Sequence, residues 1–441
     1  MMPKILLIQP TQYANDGKLC KQNRIYLPGL ALPLLAALTP AHWAVEIILE
    51  VVEDINFDSD ADIVGIGTMG HAMFHGIEIA EEFRRRGKTV VMGGYMASLV
   101  PEEAIKYADS VIVGDAEISY PMMLADFEKT GKVQPFYNNL VTSLAGLPIP
   151  KYEMLMSKPI GGLLPAQAGR GCPHSCTFCA IACLYRGRYM TRPVDEVIRD
   201  IKAIKALGIK RFILIDDNIV SNPKYLHDLC DAIEPLKMAW ATQCSLQLAD
   251  HPELLKRVRK AGAYMMSFGV ESVEQEGIDK LGKGWLHVDK HAQSLQAITR
   301  AGILVSTEMI VGTDADTEKT FEDSYQFIEK CRIPIPRFYV LTPTPGTPFY
   351  YQCKAEGRLL TEDFHHYNGS NCVHRPAKIS AERVNELYWQ LNERVFSVMS
   401  ILRRTLFHPN FFINPLAYLF ACYVNFHYRK YVKKRVPPNI L

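Results

Sequence analysis

The segment Cys172-Pro-His-Ser-Cys176-Thr-Phe-Cys179 decides how the chain is interpreted, because its three cysteines stand in a C-x3-C-x2-C spacing directly after a predicted strand. Three closely spaced thiolates can ligate three irons of a cubane [4Fe-4S] cluster and leave the fourth iron open to a small molecule. The alternative is a closed structural zinc site, with Cys183 or His174 as the fourth ligand. Zinc sites usually use two separated C-x2-C pairs, and this sequence has no second pair, so we favour the cluster.

The cysteine segment lies in a region, residues 146–360, where short apolar runs alternate with helical patterns such as Val194–Leu207. Six strands are too few for a complete eightfold barrel. They predict a partial (βα)6 TIM-type barrel, with its chemistry at the carboxyl ends of the strands. The predicted strands are Ala166–Gly169, Phe212–Ile215, Trp240–Gln243, Tyr264–Phe268, Leu304–Ile310 and Phe338–Leu341.

Residues 1–145 also alternate between buried strands and helices, which predicts a doubly wound, Rossmann-like α/β domain. Glycines cluster where its strands end, at Gly65–Gly70, Gly93-Gly94 and Gly114. Ligands of such sheets bind outside the carboxyl ends of the strands, where glycine lets the backbone come close. The predicted strands are Ile5–Ile8, Val45–Leu49, Ile63–Ile66, Thr89–Met92 and Ser110–Val113.

Residues 361–441 are predicted to be mainly helical, and their charge is one-sided. After Glu393 there is no acidic residue, whereas eight basic residues are interleaved with aromatic ones. This pattern suits an interfacial helix that makes a peripheral contact with an anionic membrane. The alternative is a final helix that caps the barrel and ends in a solvated basic tail.

Composition places the chain among ordinary globular proteins. It has 441 residues, 48% hydrophobic residues and a net charge of +2, which gives no electrostatic case for nucleic-acid binding. No secretory signal and no apolar run of transmembrane length are recognised, and the cysteines form no disulfide pattern. We therefore expect a reducing, cytoplasmic location, with peripheral membrane attachment as the variant that the C-terminal segment suggests.

The C-x3-C-x-aromatic-C pattern, with Phe178 as the aromatic residue, resembles the radical S-adenosylmethionine (SAM) superfamily. The resemblance implies that Cys172, Cys176 and Cys179 hold a [4Fe-4S] cluster whose open iron binds SAM. A reductant such as flavodoxin or ferredoxin would supply the electron that cleaves SAM to methionine and a hydrogen-abstracting 5′-deoxyadenosyl radical. The positions that the resemblance assigns to SAM binding are Phe178, Asp216, Gln243, Gly269 and Glu271.

Several of these positions have a simpler interpretation. Glu271, in the segment that resembles the family's SAM-ribose site, could be a surface acid at a strand end. Asp216 or Asp217 could cap the helix that follows. The candidates for orienting a substrate are Arg186, Arg188 and Tyr189, just after the cysteine segment, against the alternative of a solvated loop for all three.

Segments of the N-terminal domain resemble the cobalamin-binding domain of cobalamin-dependent radical SAM enzymes. Among them are Pro28–Ala31, Asp62–Ile66 and Pro101–Ile105. The resemblance implies cobalamin as a second cofactor and methyl transfer to an unactivated carbon, with a second SAM as the methyl source. The positions assigned to cobalamin are Thr68, Met69, Gly70, Gly93, Gly94, Tyr95, Ala97, Gly114 and Glu117.

The sequence departs from the D-x-H-x-x-G cobalamin motif of mutases. The loop Gln9–Gly17 holds no histidine, and Met96 stands where many relatives carry histidine. We therefore expect no histidine beneath cobalt, and we interpret His71 and His75 as lining or helix-start residues. A domain without cofactor, a radical cyclase or oxidative rearrangement enzyme, and a non-catalytic zinc protein are the alternatives. The predicted substrate is a small or lipid-like molecule.

Overall fold

The computed structural model describes residues 2–14, 17–70 and 72–436. They form two compact units. The first joins residues 2–167 to 190–212, and the second joins residues 168–189 to 213–436. The predicted domain limits of 1–145, 146–360 and 361–441 stay predictions, because these units follow contacts and not sequence position.

The first unit is built on a parallel sheet with the strand order β2-β1-β3-β4-β5-β6. The strands are β1 Lys4–Gln9, β2 Ala44–Leu49, β3 Ile63–Gly67, β4 Thr89–Gly93, β5 Ser110–Ile112 and β6 Phe136–Tyr137. The helices are α1 Ala31–Leu38, α2 Ala72–Arg85, α3 Tyr95–Leu99, α4 Pro101–Ala104, α5 Ala116–Thr130 and α6 Glu153–Met156. The sheet is doubly wound as expected, since β1 lies between β2 and β3 and the order then runs outward.

Its strands are apolar on both faces, which is why a parallel sheet covered by helices is the stable arrangement. Leu6, Val64, Val90 and Val111 of four neighbouring strands are fully buried in one core. Helix α2 adds Ile79, Ala80 and Phe83 from one face to the same core.

A second six-stranded sheet has the order β14-β13-β12-β11-β10-β7, and a small two-stranded sheet pairs β8 with β9. The strands are β7 Leu164–Gln167, β8 Gly169–Gly171, β9 Tyr189–Thr191, β10 Arg211–Ile215, β11 Ala239–Cys244, β12 Ala263–Glu271, β13 Leu304–Val311 and β14 Ile335–Val340. The helices between them are α7 Ala180–Tyr185, α8 Val194–Ala206, α9 Pro223–Ile233, α10 Pro252–Lys260, α11 Gln275–Lys280, α12 Val288–Arg300, α13 Glu318–Cys331 and α14 Pro348–Ala355.

Local sequence explains where helices of the barrel begin. Asn222 precedes Pro223, and its side chain accepts a hydrogen bond of 3.0 Å from the Tyr225 amide at the start of α9. Thr317 forms a capping box with Thr320 at the start of α13. Each helix therefore starts shortly after the strand before it ends, and the carboxyl ends of the strands stay open.

Three further helices follow the barrel: α15 Ala381–Val395, α16 Val398–Arg404 and α17 Pro415–Val432. The predicted fold class is thus confirmed: a doubly wound domain, a partial six-stranded barrel and a helical C-terminal segment. No helix among the described residues is both long enough and apolar enough to cross a membrane.

Candidate active site

The cysteine segment forms a loop between β8 and α7, and two other elements anchor it. The Thr177 amide donates to the Leu281 carbonyl at 3.2 Å, and the Phe349 amide donates to the Thr177 carbonyl at 3.1 Å. Gly282 has a φ of +74°, and a Cβ there would stand 3.2 Å from the Ser175 carbonyl oxygen. The loop is thus held by backbone contacts, which leave its side chains to face a ligand.

The three sulfurs share one environment. Cys176 is buried, and Cys172 and Cys179 are half-buried. Burial raises the pKa of Cys176 to about 11 and also raises that of Cys172, while Lys283 lowers both. Sulfurs in such a place are stable as thiolates only when a cation compensates for the lost water. The donor set therefore fits an iron–sulfur cluster whose three irons take one sulfur each.

Of the two alternative zinc ligands, His174 is engaged in ring stacking and Cys183 lies beyond the loop, in helix α7. The His174 ring stacks on Trp285 with 3.9 Å between ring centroids and 12° between planes. Cys183 lies inside helix α7, where its amide donates to the Cys179 carbonyl. No three His, Cys, Asp or Glu side chains in the described part of the chain come close enough to share a single metal ion. A [4Fe-4S] cubane does not require such a group, because each of its three ligated irons binds a different sulfur.

The segment Gly269-Val270-Glu271 ends β12 in a strained conformation. Glu271 has a φ of +63°, and the register with β13 shifts between Gly269 and Glu271. A left-handed conformation at a non-glycine residue costs about 1–2 kcal/mol. The bulge turns the Glu271 carboxylate back over Gly269, where a Cβ would overlap it. Only glycine at 269 permits this placement, so the two residues act as one feature.

Lys283 fixes that carboxylate, and sequence analysis did not identify it. Its ammonium forms an ion pair with Glu271, and both side chains are largely buried. Burial lowers the pKa of Lys283, but the charges of Glu271 and the cysteine sulfurs outweigh burial and raise it. The ammonium also lies 5.8 Å from the ring centre of Phe178 and 5.9 Å from that of Trp285. The lysine therefore joins the predicted ribose acid to the cluster loop.

Asp216 and Asp217 follow β10 and orient other parts of the site. Asp216 accepts from the Tyr189 hydroxyl at 2.9 Å and from the Asn218 amide at 2.8 Å. Burial raises the pKa of Asp216 to about 7, against the lowering effect of these two hydrogen bonds. Asp217 accepts from the Gly171 amide at 2.7 Å, just before the first cysteine.

The expectation that one of these aspartates caps the next helix is wrong, because Asn222 is the N-cap of α9. Tyr189 contacts an acid of the predicted site and does not belong to a solvated loop. It positions Asp216, whereas the proposed orienting role of Arg186 toward a substrate stays a prediction.

A row of polar side chains crosses the barrel strands at the level of Gly269. Gln243 of β11 pairs in register with Ser267, and Gly269 pairs with Glu308. Gln243 is exposed. Glu308 accepts from the Ser267 hydroxyl at 2.8 Å and forms an ion pair with Arg337 of β14. Apart from Gln243, sequence analysis missed this row, because a single charged residue inside an apolar strand has no spacing signal.

The carboxyl edge of the first unit's sheet consists largely of backbone. Gly70 and Gly94 have φ values of +53° and +93°. A Cβ at Gly70 would stand 2.7 Å from the Tyr95 hydroxyl, and a Cβ at Gly94 would overlap the Thr68 backbone. The Thr68 side chain in turn donates to the Gly93 carbonyl at 2.8 Å. These residues bring the ends of β3 and β4 into close contact.

The other predicted cobalamin positions lie at the same edge. Met69 and Gly114 are exposed and Glu117 is half-buried, whereas Ala97 is buried beneath them. Around Gly114, with a φ of +79°, the space where a Cβ would stand is empty. The exposed backbone at Gly114 fits a large flat ligand, because no atom fills the space over it.

The described histidine near this edge is already engaged. The two ring nitrogens of His75 contact Glu50 at 2.7 Å and Glu78 at 2.8 Å. Burial lowers the pKa of His75, but the two carboxylates outweigh it and raise it. Met96 is buried in the core. His71 lies outside the described residues.

Comparison with known proteins agrees with this geometry. Residues 167–328 match the sequence model of the Radical SAM superfamily. Two methyltransferases of Chlorobaculum tepidum are similar over most of the chain. Bacteriochlorophyllide d C-8(2)-methyltransferase is 28% identical and aligns with 87% of this chain and 89% of its own. Bacteriochlorophyllide d C-12(1)-methyltransferase is 27% identical and aligns with 99% of this chain and 95% of its own.

A solved structure shares the fold of the whole chain. The cobalamin-dependent SAM radical enzyme OxsB, with aqua-cobalamin and SAM bound, superposes with a TM-score of 0.67 at 14% identity. The match covers 99% of this chain and 73% of OxsB. Its identity is too low to transfer residue roles, and it supports the fold alone.

The cysteine loop and the family match define the class: residues 167–328 are a radical SAM domain, the kind that uses a [4Fe-4S] cluster and SAM. Over the N-terminal domain the superposition with OxsB shows a shared fold, in agreement with the resemblance that the sequence analysis drew there.

Proposed function

We propose that this chain is a cobalamin-dependent radical SAM methyltransferase that adds a methyl group to an unactivated carbon. The similarity to two methyltransferases over 87% and 99% of the chain carries this proposal. Both relatives are named for methylation of bacteriochlorophyllide d. The proposed substrate of this chain is a small or lipid-like molecule.

Cys172, Cys176 and Cys179 would hold the cluster, and the backbone anchors of the loop keep their sulfurs in place. Glu271 would accept hydrogen bonds from the ribose hydroxyls of SAM. Lys283 keeps that acid aimed, since the ion pair fixes the side chain before SAM arrives. Phe178 lies beside the same ammonium and would cover the cofactor from the cluster side.

Asp216 and Gln243 stand at the ends of neighbouring strands and would complete the SAM site. Asp216 with a pKa of about 7 can accept or donate a hydrogen bond near neutral pH, and Tyr189 fixes its direction. Gln243 is exposed and needs no rearrangement to reach a ligand.

Cobalamin would bind at the glycine edge of the first unit. The residues that would hold it are Gly70, Gly94 and Gly114, together with Met69, Tyr95 and Glu117. We expect no histidine beneath cobalt, because both nitrogens of His75 already contact carboxylates and the Met96 side chain is buried.

When bound, the cluster with SAM supplies a hydrogen-abstracting radical, and cobalamin supplies the methyl group. The residues of the chain position these groups and exclude water. A flavodoxin- or ferredoxin-type protein is the proposed source of electrons. Each turnover would consume two SAM molecules and yield one 5′-deoxyadenosine and one S-adenosylhomocysteine.

The test uses anaerobically reconstituted full-length protein with SAM, hydroxocobalamin and a reductant. Both 5′-deoxyadenosine and S-adenosylhomocysteine are expected. Deoxyadenosine without S-adenosylhomocysteine would contradict methyl transfer and favour the radical cyclase or rearrangement enzyme. A colourless protein with one zinc and no iron would contradict both.

A further inference from the structure

The C-terminal end of the chain exposes an unusual number of large apolar side chains. Phe412 is 90% exposed and Leu416 is 79% exposed. We use the name apolar C-terminal face for the set Phe407, Phe412, Ile413, Leu416, Leu419 and Tyr423. Contiguous apolar surface of this kind commonly marks a site of interaction with a protein or a membrane.

The face follows one side of helix α17. Leu416, Leu419 and Tyr423 are three and four residues apart, so they form a stripe along the helix. The same stripe continues to the exposed Lys430, and the exposed Lys433 and Lys434 directly follow the helix. The helix is therefore apolar at its start and basic at its end on a single exposed side.

The opposite side of α17 is fixed to the barrel. The Asn425 side chain donates to the Pro334 carbonyl at 2.8 Å, and the Arg429 guanidinium donates to the Phe396 carbonyl at 2.7 Å. Ala421, Val424 and Tyr428 are buried on this side. The helix thus already has its core contacts, and the apolar C-terminal face is additional to them.

Charge indicates what covers the face. No acidic residue follows Glu393 in the sequence, and Lys430, Lys433 and Lys434 are exposed. Aromatic and aliphatic side chains beside a purely basic end match the interface of an anionic bilayer, where apolar groups enter the headgroup layer and lysines contact the lipid phosphates.

We propose that the apolar C-terminal face binds the surface of an anionic membrane. The face lies at the amino ends of the barrel strands. The Asn410 side chain donates to the Thr299 carbonyl at 3.0 Å, and Ile413 lies beside Gly302, both before β13 begins. The cysteine loop and Glu271 belong to the opposite ends of the strands. Membrane binding therefore leaves the SAM site accessible, and it does not depend on methyl transfer.

The experiment is vesicle sedimentation with the full-length chain. Vesicles of phosphatidylcholine alone are compared with vesicles that also contain phosphatidylglycerol. The variants are Phe412→Ser with Leu416→Ser, and Lys430→Gln with Lys433→Gln and Lys434→Gln. The matched control is Leu140→Ser, which removes a leucine that is 63% exposed in the first unit.

The native chain and the control should bind the anionic vesicles, and each multiple variant should bind about tenfold more weakly. Radical cleavage of SAM in solution should be equal in all of them, which separates this proposal from the proposed function. Undiminished vesicle binding by the Phe412/Leu416 variant would overturn the proposal. A native chain that is a dimer, does not bind vesicles and becomes a monomer in this variant would also overturn the proposal. The face would then be an interface between two copies of the chain.

Discussion

The cysteine loop of the second unit and the glycine edge of the first unit prepare for their ligands in different ways. Around the loop, side chains carry the chemistry: three thiols, a buried lysine and a carboxylate in a left-handed conformation. At the glycine edge, the backbone itself forms the surface, with Gly70 and Gly94 in conformations that other residues rarely adopt.

This difference determines which changes each region tolerates. Around the loop, removal of one charged or metal-binding group leaves its partners buried and uncompensated. At Gly94 of the edge, addition of a single methyl group is the damaging change, because it meets the Thr68 backbone. The predictions below test this contrast in order of expected effect.

The largest effect is expected for Cys176→Ala. The cluster should fail to assemble fully, because one iron loses its protein ligand, and SAM cleavage should fall to background. The measurements are the iron content, the visible absorption of anaerobic protein and the yield of 5′-deoxyadenosine. Cys183→Ala is the control, and it should retain colour and cleavage. Full colour and cleavage in Cys176→Ala would refute the cluster assignment.

The next effect is expected for Lys283→Met, which leaves the buried Glu271 carboxylate without its cation. Loss of one partner of a buried ion pair costs about 3–5 kcal/mol of unfolding free energy. Denaturant unfolding measures it, with Lys280→Met as the exposed control, expected to cost under about 1 kcal/mol.

The double variant Lys283→Met with Glu271→Gln sharpens this test. Removal of the stranded charge should recover much of the loss, because a neutral amide is less costly to bury than a carboxylate. Equal stability of Lys283→Met and the native protein would show that the Lys283–Glu271 ion pair contributes nothing to the free energy of unfolding. The cysteine loop would then not be especially sensitive to loss of a charged group.

A smaller effect is expected for Gly94→Ala at the glycine edge. At Gly94 both the φ of +93° and the overlap with the Thr68 backbone oppose an added Cβ. The control is Gly87→Ala, because Gly87 also has a positive φ, +75°, but open space where its Cβ would stand. We expect about 1 kcal/mol of destabilisation for Gly87→Ala and about 2 kcal/mol more for Gly94→Ala. Denaturant unfolding separates strain from overlap, and equal losses would show that the overlap relaxes freely.

The contrast between the two regions also explains what the sequence could reveal. The C-x3-C-x2-C spacing is local, so the cluster segment and its strand were predicted directly. Alternating apolar runs predicted the sheets, because burial of parallel strands requires them. Lys283, Trp285 and Arg337 were missed, since each reaches the site through a fold that pairs residues far apart in sequence.

The smallest effect is expected behind the cysteine loop, at His374. Its ring meets the edge of Phe349 with 5.2 Å between centroids, and the Phe349 amide anchors the loop. Burial lowers the pKa of His374 to about 4, with a smaller raising effect from Asp314 and a lowering one from Arg358. The folded-state pKa is depressed, so the stabilisation by neutral His374 is complete above about pH 6.5 and is lost as pH falls toward 4.

As pH falls from 7.5 to 5.5, the depressed pKa of His374 should therefore lower the free energy of unfolding by about 1 kcal/mol. In His374→Gln the loss over the same interval should be smaller by that amount, whereas the exposed control His366→Gln should follow the native protein. Denaturant unfolding at both pH values measures the difference. If His374→Gln loses as much stability as the native chain, the imidazole takes up its proton as readily in the fold as in the unfolded chain, and the packing around it admits water.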